Sequence, residues 1–325
     1  MIIARSLDRI PDEVRPSAVT IGKFDGVHAG HRAVLAELLA ASEQRSLTPV
    51  VVTFDRNPLA VLRPEACPEN LVSLGQKLEL LEEAGVAATV VLEFTRELAA
   101  WTAEEFAERV LATALEARLV LVGADFRFGA RGAGTVDTLR ELGAVHGFEV
   151  QVVGDVLADG GRASSSRIRR LLDEGDVEHA ALLLGRAPTV RGEVVRGLQR
   201  GRELGYPTAN LAAESEGLAP GDGVYAGWLT DSSAPGTPRY PAAISVGSNP
   251  TFDDVTRKTV EAYVLDEDLD LYGHHVEVEF TRRLRGMVAY AGVEPLIAQM
   301  GQDVAEARQL LGAPAPDGRG SSTGG

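Results

Sequence analysis

Four short apolar runs constrain this chain most: Val50 to Phe54 (VVVTF), Thr89 to Leu92 (TVVL), Leu119 to Gly123 (LVLVG) and Glu149 to Val153 (EVQVV). Runs with little polar alternation belong to strands buried on both faces, and helical patterns separate them, which predicts a parallel sheet covered by helices. Leu71, Leu74, Leu78 and Leu81 share one helical face. Thr102 and Glu105 form a capping box ahead of a helix carrying Phe106, Val110 and Leu111. Residues 18 to about 155 therefore read as a doubly wound α/β domain.

After about residue 187 the period changes. In His275 to Phe280 (HVEVEF), Val276, Val278 and Phe280 take one face and Glu277 and Glu279 the other, the mark of an antiparallel sheet with one wet side. Gly223 to Leu229, Ala242 to Val246 and Thr259 to Leu265 read as further strands, so a small barrel or sandwich is expected. Leu296, Ile297, Met300, Val304, Ala307 and Leu311 recur at helical spacing and predict one helix packed on that sheet. Gly185 to Pro188 (GRAP) marks the boundary, giving domains 1–186 and 187–312, with a disordered tail over 313–325.

The length of 325 residues fits two cores better than one. A net charge of -15 argues against a basic surface for nucleic acid or anionic lipid, which leaves small molecules as the expected partners. The single cysteine, Cys67, excludes an intramolecular disulfide and a thiolate metal cluster. No apolar run reaches the roughly 18 residues of a membrane helix, and the start MIIARSLDRIPDEVRP lacks the apolar core of a signal peptide. A cytoplasmic protein, monomeric or transiently oligomeric, is expected.

The chemistry concentrates in two stretches. In the first, TIGKFDGVHAGHRAVL, a strand ending at Ile21 runs through a glycine turn into a helix whose apolar face holds Val34, Leu35, Leu38 and Leu39. The turn stands at the carboxyl end of a parallel strand, where open α/β sheets bind ligands. Gly22, Gly26 and Gly30 permit close backbone approach, and a helix N-terminus suits an anion. His28 and His31, one turn apart, point the same way. Metal, phosphate and a plain glycine corner with surface histidines are the three readings. Neither HExxH nor a cysteine partner accompanies the histidines, so metal is the weakest. Phosphate carries most weight, with histidine donating to oxygens that gain charge in a transition state.

His28-Ala29-Gly30-His31 matches the HxGH signature of nucleotidyltransferases, and Gly22 through His31 resembles bacterial FAD synthetases. A second signature of that superfamily appears as Ser164-Ser165-Ser166-Arg167-Ile168-Arg169. Its serines would cap a helix beginning near Arg167, and Arg167 and Arg169 would clamp phosphates. Thr53-Phe54-Asp55-Arg56-Asn57-Pro58 and Val122 through Gly129 look like the same family. The resemblance implies that they line the flavin and adenine pockets, with Asn57, Asp125, Phe126 and Phe128 on the flavin. The family usually has histidine where this chain has Asn57, whose amide can donate a hydrogen bond but carries no proton charge. Gly22, Phe24, Gly26, Gly30, Ser164 and Arg167 would surround ATP, and His28, His31, Ser165 and Arg169 would stabilise departing pyrophosphate.

The second stretch, VVRGLQRGRELGYPTANL from Val194, is a strand, a glycine and arginine turn, and then Pro207-Thr208-Ala209-Asn210. Gly197, Gly201 and Gly205 would let backbone amides cradle an anion, with Arg200 and Arg202 adding charge. Thr208 and Asn210, two apart in an extended segment, offer two oxygens on one face to a hard cation such as Mg²⁺. This stretch is close to the signature of riboflavin kinases, and Gly223 to Tyr225, Ser245 to Phe252, Val260-Glu261 and Tyr272-Gly273 follow in that family's order. By that match Glu261 is the general base, taking the proton of the ribityl hydroxyl.

The whole resembles the bacterial bifunctional riboflavin kinase and FMN adenylyltransferase family. That implies a Rossmann-like nucleotidyltransferase domain followed by a small antiparallel β-barrel kinase domain with a C-terminal helix. ATP, Mg²⁺ and the flavins riboflavin, FMN and FAD would be its ligands. The competing readings are a kinase with a weakened adenylyltransferase site and a flavin-binding regulatory protein without turnover.

Overall fold

The four apolar runs are four strands of one six-stranded parallel sheet in the computed structural model, which describes residues 1–154, 157–158, 160–197, 204–250 and 256–313. The strands are β1 (Ile2–Ala4), β2 (Ser17–Ile21), β3 (Thr48–Phe54), β4 (Ala88–Leu92), β5 (Ala117–Gly123) and β6 (Glu149–Val153), in the order β1-β4-β3-β2-β5-β6. Every pairing is parallel. Val50, Val52, Val120 and Val122 face one apolar layer with Phe106, Val110 and Leu111. The alternate residues Val51, Leu119 and Leu121 face the other, with Leu35, Leu38 and Leu81. Both faces are covered, which is why the runs lack polar alternation. The run at β6 departs from the expectation of a buried strand: it is an edge, with Glu149 exposed and Val153 buried.

From β2 the chain builds outward through β3 and β4 on one side, then places β5 and β6 on the other. The switch point between β2 and β5 is where such sheets open a crevice. Helix α1 (Ala29–Arg45) follows β2. The short α2 (Pro58–Leu62) and α3 (Leu74–Glu83) follow β3, and α3 is opened by a Ser73 and Gln76 capping box. The expected Thr102 and Glu105 box opens α4 (Ala103–Phe106), which continues as a π-helical stretch Ala107–Ala114.

Two short antiparallel strands, β7 (Leu157–Ala158) and β8 (Gly161–Arg162), follow β6. The chain divides into two compact units, Met1–Ser165 and Ser166–Gly325. Helices spanning Ser165–Asp173 and Val177–Leu184 precede the barrel of the second unit, and Gly185 ends the latter in a left-handed conformation. The barrel strands are β9 (Thr189–Val195), β10 (Ala209–Leu211), β11 (Gly223–Asp231), β12 (Arg239–Pro250), β13 (Thr256–Val264) and β14 (His275–Arg285), closed in the order β10-β13-β12-β11-β14-β9. Closure decides for a barrel over a sandwich, leaving no free edge among these strands. Val276, Val278 and Phe280 fill the interior, while Glu277 and Glu279 pair outside with Arg191 and Arg239. The C-terminal helix Val293–Leu311 covers the barrel through Val304, Ala307 and Leu311, which pack on Ala226, Ala243 and Leu265. Ile297, expected on that face, is exposed. Among the described residues no helix is long and apolar enough to cross a membrane. The tail over 314–325 lies outside the described residues.

Candidate active sites

The turn after β2 is held in a conformation the backbone does not adopt by itself. Phe24 and Val27 have φ of 49° and 40°, beside Gly26 at 82°. A left-handed β-branched residue persists only where its surroundings over-determine it. Both side chains are buried in the core, and hydrogen bonds tie the turn to several neighbours. Gly22 N donates to Val52 O at 3.0 Å. Asp25 Oδ1 accepts from Leu71 N at 2.8 Å, and Asp25 O from Ser165 Oγ at 3.0 Å. Arg32 donates to Val27 O at 3.1 Å.

His28 occupies the N-cap of α1, and its ring stacks on that of His31 with centroids 3.7 Å apart. Phe24, expected among the residues around ATP, packs its buried ring 5.0 Å from His31 and supports that ring from behind. A Cβ at Gly30 would stand 3.1 Å from His28, so glycine is what leaves room for the stacked pair. Burial, reinforced by electrostatic interaction with His28, Lys23, Lys77 and Arg32, holds the His31 pKa well below 6.5. His31 is therefore a neutral donor at pH 7, within a cluster of cationic side chains suited to an anion.

Two cavities open at the carboxyl ends of the strands. The larger, about 560 Å³, sits at the β2/β5 switch point and is walled by Phe54, Phe94, Trp101, Phe106, Phe126 and Phe128, with Asp125 on its rim. Phe126 stacks on Phe128 at 5.5 Å, and Asp125 is held by Arg162 at 2.8 Å. Phe128 is thus both core and wall. The smaller, polar cavity is lined by Lys23, Asp25, Asp55, Asn57 and Lys77. Asn57 belongs to this one and not to the aromatic cavity, because its Oδ1 caps α2 by accepting from Leu59 N at 3.1 Å.

The serine-rich helix begins at Ser165 rather than near Arg167. Ser164 precedes it, and the Ser165 hydroxyl is spent on the Asp25 carbonyl. Helical geometry puts Arg169 on the face of Ser165, while Arg167 lies nearly opposite Arg169.

In the barrel, β10 and β13 set Asn210 directly across from Glu261. Asn210 Nδ2 donates to Thr208 Oγ1 at 3.1 Å, and Thr208 Oγ1 donates to Glu261 Oε2 at 3.4 Å. Glu261 alternates with buried Val260, Ala262 and Val264, as expected for its strand. Two cavities meet here. One, about 250 Å³, is lined by Glu261 with Tyr206, Tyr263, Met287, Tyr290 and Met300. The other, about 420 Å³, is lined by Asn210 with Arg196, Asp268, Asp270 and Tyr272. Thr208 lines both. A Cβ at Gly197 would displace the Asn210 carboxamide, and Gly205 has φ of 87°, a conformation that favours glycine. Gly201, Arg202 and Arg200 lie outside the described residues, as do Thr251 and Phe252.

Sequence reasoning missed Lys77, Phe94, Trp101 and Asp303. Lys77 is buried on the apolar stripe of α3, where its Nζ donates to Phe54 O, Thr53 Oγ1 and Lys23 O at 2.8, 3.2 and 3.3 Å. Asp303, buried on the C-terminal helix, makes a bidentate pair with Arg285 at 2.9 and 2.7 Å beside the smaller barrel cavity. A charged residue within a leucine stripe was the available signal for Lys77.

A family model described as FAD synthetase matches residues 10–167, and one described as riboflavin kinase matches 184–311. The bifunctional riboflavin kinase/FMN adenylyltransferase of Escherichia coli (strain K12) is 34% identical over 311 residues, covering 96% of this chain and 97% of that protein. That of Pseudomonas fluorescens is 34% identical over 310 residues, covering 95% and 98%. The crystal structure of a macrolide-efflux protein from Streptococcus pneumoniae shares the fold with a TM-score of 0.82 and 31% identity, over 94% of this chain and 98% of that one.

Proposed function

The chain belongs to the bifunctional riboflavin kinase/FMN adenylyltransferase family, and on that premise we propose how its residues divide the two reactions. The enzyme phosphorylates riboflavin to FMN and adenylylates FMN to FAD, with ATP as donor in both steps. The observation that carries the assignment is Thr208, which lines both barrel cavities and touches Glu261. The cavity of Tyr206, Tyr263 and Tyr290 takes the isoalloxazine, and that of Arg196 and Tyr272 the nucleotide. Glu261 accepts the ribityl hydroxyl proton as that oxygen attacks the γ-phosphorus and ADP leaves.

Mg²⁺ fits this corner: Thr208 Oγ1 and the Asn210 amide oxygen are hard oxygen donors beside the Glu261 carboxylate, few enough to leave room for phosphate and water. Turning the Asn210 amide by half a revolution brings its oxygen beside Thr208 Oγ1. When bound, the cation offsets charge on the transferring phosphoryl group.

In the first unit the FMN phosphate attacks the α-phosphorus of ATP and pyrophosphate departs, with the flavin in the aromatic cavity. His31, neutral, and His28 donate to the triphosphate, and Ser165, whose hydroxyl donates to the Asp25 carbonyl, helps to hold the turn that carries them. A functional boundary near 186 is supported by the helix stop at Gly185 and the start of β9 at Thr189. A binder without turnover has no use for a carboxylate beside a phosphoryl-transfer corner, and the cytoplasm, where ATP and riboflavin meet, is the compartment we assign.

The test is chromatographic separation of flavins from riboflavin, ATP and Mg²⁺ over time. His28→Ala should stop at FMN. Glu261→Gln should make no FMN from riboflavin, yet convert supplied FMN to FAD. Loss of both steps in either folded variant refutes the two-site division.

A further inference from the structure

Lys77 stands where an apolar residue would cost less, between Leu74, Leu78 and Leu81 on the buried face of α3. Its ammonium has a partner for each of its three donors: Phe54 O and Thr53 Oγ1 on β3, and Lys23 O on the turn after β2. Thr53 Oγ1 also donates to Lys23 O, at 3.3 Å. The Lys23 carbonyl belongs to the peptide leading into Phe24, the first left-handed residue of the turn. The other ties of that turn act on Gly22, Asp25 and Val27, so Lys77, with Thr53, is what sets the plane of this peptide. We propose that Lys77 is a positioning residue for adenylyl transfer, acting through the Lys23 peptide to hold the strained turn and so the stacked His28 and His31 in register with the triphosphate.

The inference rests on the reading of His28 and His31 as the adenylylation site. Because all three Lys77 donors are engaged, its role is to shape the turn rather than to contact phosphate. The titratable groups around it are Lys23 and Asp25 on the turn, Asp55 and Arg56 after β3, and the neutral His31 and the charged Arg32 on α1. Burial lowers its pKa to about 8 although Asp25 and Asp55 oppose the shift. Loss of that proton removes one of three donors and loosens the turn.

The full chain serves for the test, because its kinase reaction is an internal control. FAD formation from FMN should show an alkaline limb in kcat near pH 8 that FMN formation from riboflavin lacks. Lys77→Met, similar in length but without donors, should lower kcat for FAD formation about tenfold or more and abolish the limb, with FMN formation unchanged. Lys77→Arg should restore most of the rate and move the limb out of range, since guanidinium keeps its charge. A wild-type kcat in Lys77→Met, or a limb persisting in it, overturns the proposal. Should Lys77→Met not fold, a flat wild-type profile or a Lys77→Arg profile that keeps the limb overturns it instead. His28→Ala separates the two levels: FAD formation in that variant sinks the site reading, whereas Lys77→Met tests only the positioning.

Discussion

Gly30→Ala isolates geometry from stability in the adenylylation site. The new Cβ would lie 3.1 Å from His28 Cε1 and 3.2 Å from His28 Nδ1, with Ala163 O at 3.5 Å. The imidazole must give by a few tenths of an ångström, and it is already stacked 3.7 Å from His31. Against that crowding stands helix propensity, which favours alanine over glycine by up to about 1 kcal/mol. The two terms nearly cancel, so the first unit's unfolding midpoint should move by no more than about 2–4 °C. The rate should not be spared. A full ångström of misplacement costs about a hundredfold, so a few tenths should cost about 3- to 10-fold in kcat for FAD formation. Steady-state FAD formation, with FMN formation alongside and a thermal scan on the same preparation, reads all three. Unchanged FAD kcat with an intact transition would refute the claim that Gly30 exists to seat His28, and a large fall in the midpoint would refute the cancellation.

Other outcomes follow from the buried charges. Thr208→Val removes the hydroxyl shared by both barrel cavities and should lower FMN formation at least tenfold while leaving conversion of supplied FMN to FAD intact, read on the same column. Arg285→Met strands the Asp303 carboxylate with Gln299 as its remaining partner and should cost about 3 kcal/mol in denaturant unfolding, whereas Arg285→Met with Asp303→Leu should recover most of it. Burial pushes the Asp231 carboxyl up, but His274 and the Ser233 and Ala234 amides outweigh it and hold its pKa below the ordinary value. Its stabilisation is therefore present above the unfolded pKa and lost on acidification through the folded one, so Asp231→Asn should flatten the acid limb of the second unit's stability. Lys77 works in the opposite sense: the unfolded chain holds the proton more tightly, so stability of the first unit should rise by up to roughly 3 kcal/mol between pH 8 and 10.5. FAD formation should fall over the same range, a divergence that calorimetry and kinetics on one sample would check.

Local periodicity and glycine placement made much of this protein readable from its residues. Apolar runs without alternation declare strands buried twice over, and the HVEVEF alternation declares a sheet with one wet face, because a side chain's direction repeats within a few residues. The His28 to His31 turn and the Pro207 to Asn210 segment were legible for the same reason, their chemistry being carried by near neighbours in sequence. What depends on distant pairing was not. Only the tertiary structure decided that β2 and β5 adjoin to open the switch-point crevice, that the aromatic cavity gathers rings from separate segments, and that the second sheet closes into a barrel. It alone put Phe24 behind His31 and Asn57 on a helix cap beside the polar cavity. It also turned Lys77 and Asp303, which look like solvated charges in one dimension, into buried ones, because a charge can enter a core only where long-range folding brings it partners.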